Sequence, residues 1–324
     1  MGFEDDWHAL IEDVGEGLTV GVAVGGPGGD IATGGGDLVF PACSISKHVA
    51  AFGALRLVAD GTIELDSDVN AYLSAWRLPG TGTVTVRQVL AHTAGLTENW
   101  FPGYAAGAPV PSLPQVLTGE PPANSPAARR ELPPGTTFRY SGSHYAVLQQ
   151  LLTDVTGSTF EELMADLVLT PVGMTDSSFD QRFPYENQAR AARGHAGGKP
   201  VPGGWHTQPE LAAAGLWSTP ADLVRLELEI GRAAAGTSRL LPADLAAEML
   251  TPQVPGGFGL GTQLDPGRYG HTGQNTGYSC FSFAWPGSGT AVAVMMDAED
   301  RRDTLFALVE LAQRHFGTSG AVGS

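Results

Sequence analysis

Hydrophobic and polar positions change rhythm three times along this chain. Over 18–25 valines alternate with small residues, a period of two that predicts a β-strand. A glycine-rich turn at 25–30 follows, and 31–33 and 38–40 read as further short strands. From 46 to 60 the period lengthens: Val49, Phe52, Leu55 and Val58 fall three apart among alanines and glycines, which predicts a helix. Apolar nearly all round, that helix is expected to be buried. Between about 70 and 205, helical patches at 85–92, 145–155 and 160–168 are separated by Pro/Gly-rich loops such as 102–134. The last third reads as β-rich, with strands at 258–264, 269–276, 279–285 and 291–296. An amphipathic helix at about 303–315 closes the chain, with Leu305, Leu308, Val309 and Leu311 on its apolar side.

Strands at both ends with helices between them predict an α/β fold. One sheet, assembled from the N- and C-terminal segments and flanked by helices on both faces, carries an inserted, mostly helical region. The expected division is an α/β part of about 1–75 and 205–324 and a helical insertion of about 76–204, forming one unit. No internal repeat and no Gly/Ser/Pro-rich linker separates the two cleanly.

Composition narrows the function classes. Hydrophobic residues at 42% and charged residues at 16% are globular values. A net charge of −16 repels phosphate backbones and anionic lipid, so neither nucleic acid nor a membrane is an expected partner. No run approaches the roughly eighteen apolar residues of a membrane span. The acidic start, Met1 to Asp6, is unlike a secretory signal, and the expectation is a cytoplasmic protein acting on a small molecule or peptide. Cys43 and Cys280 have no zinc-type spacing, and the histidines show no H-E-x-x-H, so no metal or cofactor is expected. Cys43 itself reads as a small core thiol.

The chemistry begins at Ser44-Ile45-Ser46-Lys47. Three apart at a helix start, Ser44 and Lys47 share one face, so the amine can reach the hydroxyl and take its proton. The helix N-terminus adds free N–H groups beside the nucleophile, suited to a developing oxyanion. Lys47 is one of only two lysines among 18 basic residues, the other being Lys199, and a desolvated lysine can act as base where arginine cannot. Two weaker elements follow. Tyr140 sits in a Ser/Gly turn ahead of a helix, and His271-Thr272-Gly273 lies in a strand whose glycines would admit a substrate backbone.

In order and spacing, Ser44-x-x-Lys47, Tyr140 and His271-Thr272-Gly273 resemble the class C β-lactamases. They equally resemble the D-alanyl-D-alanine carboxypeptidases, D-aminopeptidases and esterases of the same β-lactamase/transpeptidase-like fold. Further family-like stretches are 60–66, 86–96, 171–179 and 213–223, so the resemblance covers nearly the whole chain. It implies acyl transfer through Ser44, with Lys47 and Tyr140 sharing the base and acid roles. It also implies an oxyanion hole from the N–H groups of Ser44 and Gln274, and a substrate held beside His271, Thr272 and Gly273.

Two departures bear on the substrate. Gly142 stands where the family usually has Asn two residues after the tyrosine, with Ser141 or Ser143 as partial replacements. His271 stands where efficient β-lactamases have Lys. Both point from β-lactams toward a D-amino-acid peptide or amide, or a small ester. Acyl transfer or peptide cyclisation, β-lactam hydrolysis and a non-catalytic sensor on the same fold are the alternatives. His92 reads as a structural residue near the site. Trp100, Phe101, Trp205 and Trp217 fit an acyl pocket or the core equally well.

Overall fold

The structure, a computed structural model, describes residues 18–182, 188–255 and 258–316. Its main sheet has six strands: β1 (Val20–Gly25), β2 (Ile31–Gly34), β3 (Gln263–Asp265), β4 (Arg268–Asn275), β5 (Tyr278–Trp285) and β6 (Thr290–Met296). They run in the order β2-β1-β6-β5-β4-β3, antiparallel throughout. Val20 lies opposite Met296, so the two ends of the chain meet in the middle of the sheet. The helices that matter below are α1 (Ile45–Ala59), α2 (Val86–Leu90), α3 (Gly142–Thr156), α4 (Leu211–Ala214), α5 (Pro220–Ala234) and α6 (Arg302–Phe316).

The valine/small alternation decides which helix lies on which face. Val20, Val22 and Val24 of β1, with Phe281, Phe283, Val292 and Val294, pack against Leu305, Leu308, Val309 and Ala312 of α6. The opposite face carries Gly21, Ala23 and Gly25, and α5 lies against it so closely that a Cβ on Gly25 would sit 2.5 Å from Val224. Small residues on one face therefore let α5 approach the backbone, while valines on the other fill the gap to α6.

Helix α1 runs through the core, twelve of its fifteen residues buried, as its all-round apolar composition predicts. The expected strands at 18–25, 269–276, 279–285 and 291–296 and the closing helix are all present within a residue or two. Three expectations need correction. The stretch from Phe258 to Thr262 is a loop, and only Gln263–Asp265 is strand. Gly261 turns there at φ +73°, where a Cβ would lie 2.2 Å from Ala51, and its N–H donates to Leu90 O. The segment from 205 to 258 is not β-rich but holds α4, α5 and a helix at Ala243–Met249. Thr219 caps α5 by accepting from Asp222 N–H, with Pro220 at the first turn, a start signal legible in Thr-Pro-Ala-Asp. Finally, the loop at 102–134 contains a helix, Leu113–Thr118, begun by a Ser112/Gln115 capping box.

Candidate active site

Ser44 is the N-cap of α1, at the end of a tight turn. The turn is made by Cys43 at φ +54°, a conformation uncommon outside glycine and often found at functional sites. Ser46 Oγ donates to Cys43 O at 2.6 Å and accepts from Leu216 N–H at 2.9 Å, while Ala42 N–H donates to Leu216 O. The loop before the helix is thus tied on both sides to one residue of the 215–218 segment. Strand β4 presses against the same turn. A Cβ on Gly273 would fall 2.7 Å from Ala42 O, 2.8 Å from Cys43 Cβ and 3.2 Å from Ser44 N. Only glycine lets the strand edge come beside the Ser44 amide.

Lys47 Nζ lies 3.0 Å from Ser44 Oγ and donates to Ala213 O of α4 at 2.7 Å. The side chain is 3% exposed, and burial brings its pKa from 10.5 down to about 7. A hydroxyl and a carbonyl satisfy a neutral amine without neutralising an ammonium, so the environment favours the free base.

Tyr140 reaches the same hydroxyl from the other side, hydrogen-bonded to Ser44. Burial pushes its phenol above the ordinary value, and the bond to Ser44 offsets this only in part. His92 holds it there. The His92 carbonyl accepts from Arg139 N–H at 2.9 Å, and its Nδ1 accepts from Ser141 N–H at 3.2 Å. One residue therefore grips the backbone immediately before and immediately after Tyr140, with its ring against the tyrosine ring at 4.5 Å between centroids. Because Nδ1 accepts, the proton of the neutral imidazole sits on Nε2. Burial first, then His144, holds the His92 pKa well below the ordinary histidine range.

The serines flanking Gly142 do not replace the missing asparagine. Ser141 Oγ donates to Thr97 O at 2.6 Å and accepts from Asn99 N–H and Ser143 N–H. Ser143 Oγ accepts from Asn99 Nδ2 at 2.7 Å. Both hydroxyls are used in pinning α3 to the 97–99 segment. Gly142 is buried and lies outside the cavity lining, and a Cβ there would sit 2.6 Å from the Phe101 ring. Phe101 fills the space a side chain would need.

Ser44, Tyr140, His271, Thr272, Gly273 and Gln274 come together around a cavity of about 560 Å³. His271 is 2% exposed, its Nδ1 contacts Thr272 O, and its Nε2 is buried without a partner. Burial, with Lys47 adding to it, takes His271 down to about 3, so this strand position carries no charge at neutral pH. Gln274 Nε2 donates to Glu299 O, and Gly277 N–H donates to Glu299 Oε2, tying the β4–β5 turn to the segment before α6.

Seven cavity residues were not singled out from the sequence: Phe138, Phe258, Gln263, Ser279, Glu299, Arg302 and Phe306. Nothing local marks them, since they reach the site from loops, strands and a helix far apart in the sequence. Trp100 does line the cavity and is 70% exposed, whereas Phe101, Trp205 and Trp217 are buried. Cys43 and Cys280 are buried free thiols with sulfurs 4.0 Å apart, and burial raises the Cys43 pKa well above its usual value. Among the described residues no three His, Cys, Asp or Glu side chains gather as a metal site. No described helix is long and apolar enough to cross a membrane.

Residues 10–313 match the family model described as Beta-lactamase. Penicillin-binding protein 4 of Amycolatopsis lactamdurans is 28% identical over 307 residues, covering 86% of this chain and 76% of that protein. A putative penicillin-binding protein of Bacillus subtilis is 23% identical over 254 residues, and the chain spans only 60% of its length. A D-aminopeptidase of Gluconobacter oxydans is 31% identical over 143 residues, 42% of this chain and 25% of that one. Among solved structures, the D-amino acid amidase of Ochrobactrum anthropi SV3 with D-phenylalanine superposes with a TM-score of 0.79 at 19% identity, over 98% of this chain and 99% of that one. A D-stereospecific amidohydrolase from Streptomyces sp. gives 0.74 at 21% identity, over 99% and 100%. These structures share the fold of the chain. With the family model matched from residue 10 to residue 313, the chain belongs to the β-lactamase family of serine hydrolases.

Proposed function

We propose that the protein hydrolyses an amide or ester through an acyl intermediate on Ser44, with D-amino-acid amides or peptides and small esters as the substrate class. One observation carries the reading: a buried lysine with a pKa near 7 lies 3.0 Å from a serine hydroxyl at a helix N-terminus. Above pH 7 Lys47 is mostly the free amine and accepts the Ser44 proton as Oγ bonds to the substrate carbonyl carbon. Tyr140, whose phenol burial keeps protonated, supplies a proton to the leaving amine or alcohol, and the Lys47 ammonium restores it. The amides of Ser44 and Gln274 stabilise the oxyanion, and the close approach allowed by Gly273 keeps them together. Water then releases the acyl group.

The similar D-aminopeptidase of Gluconobacter oxydans, and the D-amino acid amidase that shares the fold, agree with amide substrates. Two features weigh against efficient β-lactam turnover: Phe101 occupies the space of the usual asparagine, and His271 is uncharged. The test is a fluorophosphonate probe followed by mass spectrometry, beside rates on p-nitrophenyl esters, D- and L-amino-acid amides and nitrocefin. An adduct on Ser44, with activity lost in Ser44→Ala, is expected. Full activity in Ser44→Ala would sink the mechanism.

A further inference from the structure

The cavity has two chemically different ends, and strand β4 orders them. His271 and Gln274 are three residues apart, about 10 Å along a strand. The Ser44 amide sits between them, beside Gly273. At the Gln274 end stand Glu299 and Arg302, the latter the only arginine or lysine among the described lining residues, with its guanidinium 5.3 Å from the Phe306 ring and Leu305 beside it. At the His271 end the wall is aromatic. Tyr140 lies 5.5 Å from Trp100, 5.7 Å from Phe258 and 6.0 Å from His271 between ring centroids. Phe258 stacks on Phe138 at 5.2 Å and 20°. Arg139, the nearest cation in sequence, is turned away into bonds with Glu131 and the carbonyls of Gly95 and Leu96.

In the mechanism above, the group that departs takes its proton from Tyr140 and must lie against that residue. We therefore propose that the leaving-group subsite is the pocket formed by Trp100, Phe138, Tyr140 and Phe258. It accepts an uncharged apolar or aromatic amine or alcohol and rejects one bearing a carboxylate. The inference rests on the hydrolase reading and sharpens it, separating an amidase or esterase from a carboxypeptidase, whose leaving group is an amino acid with a free carboxylate. A carboxylate at that end would lose its hydration against rings whose nearest amine, Lys47 Nζ at 5.2 Å from the Tyr140 ring centroid, serves the reaction as the neutral base, whereas a phenyl group gains offset or edge-on ring contacts.

The experiment measures kcat/KM for matched amides on each of three acyl groups, acetyl, D-alanyl and D-phenylalanyl. The leaving groups are methylamine, benzylamine and 4-(aminomethyl)benzoate, alkyl amines of similar basicity, so that the comparison reads the pocket and not the intrinsic leaving ability. The benzylamide is expected to exceed the methylamide, and also its para-carboxylate analogue, by at least about tenfold, a hydrophobic pocket discriminating by roughly 10–200-fold for a single methylene. In Phe258→Ala the ratio of benzylamide to methylamide should fall toward one. Trp100→Ala, at an exposed position where folding is not at stake, should lower the same ratio. Wild-type protein whose Ser44 is labelled by the fluorophosphonate but which shows no benzylamide preference, or prefers the carboxylate, overturns the subsite and leaves the hydrolase reading standing. Failure to label Ser44 in folded wild type removes the reading and the subsite together.

Discussion

Lys47 is the residue whose environment has most to explain. Its folded pKa of about 7 lies below the 10.5 of an exposed lysine, so the sign of two effects follows. Activity needs the free amine, hence kcat/KM should hold above pH 7 and fall about tenfold per unit as pH drops below it. Stability runs in the same direction over a different window. Between about 7 and 10.5 the unfolded chain keeps the lysine protonated while the folded state holds it neutral, so stability rises with pH across that range. Lys47→Met should therefore unfold at higher urea than wild type at pH 7, by about 2–5 kcal/mol. The gap should narrow by pH 9.5, and a constant gap would contradict a neutral Lys47. Activity should vanish in Lys47→Met and nearly so in Lys47→Arg, since guanidinium cannot act as base. His92 belongs to the same scale as a positioning residue. It sits at φ +57°, which asparagine tolerates better than alanine. His92→Ala is expected to lower kcat about tenfold or more with little change in KM, because the imidazole's hold on Ser141 N–H and on the Tyr140 ring is lost while the backbone bond to Arg139 stays, and His92→Asn should recover part of kcat. Equal losses in both variants would reduce His92 to packing.

Two elements meet at the nucleophile, the start of α1 and the edge of β4, and they meet at one glycine, Gly273. Gly273→Ala would drive a Cβ into Ala42 O and Cys43 Cβ, parting the strand from the Ser44 amide. A loss of about 100-fold or more in kcat/KM is expected, on the scale of removing an oxyanion donor, with the circular dichroism spectrum retained. Near-wild-type kinetics in Gly273→Ala would remove the close approach from the mechanism. Helix α3 presents the converse case at Gly142. Introducing there the asparagine that the family resemblance implies places a side chain against the Phe101 ring, and overpacking of this kind costs about 1–3 kcal/mol. Gly142→Asn should lower the thermal midpoint without raising nitrocefin turnover. Pairing it with Phe101→Ala should recover part of the midpoint, because the obstacle is that ring.

At the scale of the whole molecule, one buried polar knot joins the parts that carry the site. Glu227 on α5 lies 3.3 Å from His48 Nε2, one residue past Lys47 on α1, and accepts from Ser282 Oγ on β5 at 2.8 Å. Both side chains of the His48–Glu227 pair are fully buried. Glu227→Ala leaves a histidine and a hydroxyl unpaired in the core, so a loss of about 3–5 kcal/mol in urea unfolding is expected, and less in Glu227→Gln. The same molecule shows where local pattern suffices. The helix at 45–59, the strands around 20–25, 278–285 and 290–296, the closing helix and the Ser44–Lys47 spacing were all legible in the sequence, because each depends on neighbours within a few positions. The helix at 220–234 carried both a start signal at Thr219-Pro220 and a helical period in its buried Leu223, Val224, Leu226, Ile230 and Ala233, while the glycine-broken run at 258–262 imitated a strand. Only the tertiary structure decided what surrounds the nucleophile. Lys47 finds its carbonyl 166 residues away at Ala213, Tyr140 is held by His92 from another element, Phe101 takes the place of an asparagine, and Phe258 closes an aromatic wall with Trp100 and Phe138. The physical reason is common to all four: desolvation, pKa and cavity shape are set by atoms brought together across long stretches of chain, and no periodicity along the sequence encodes them.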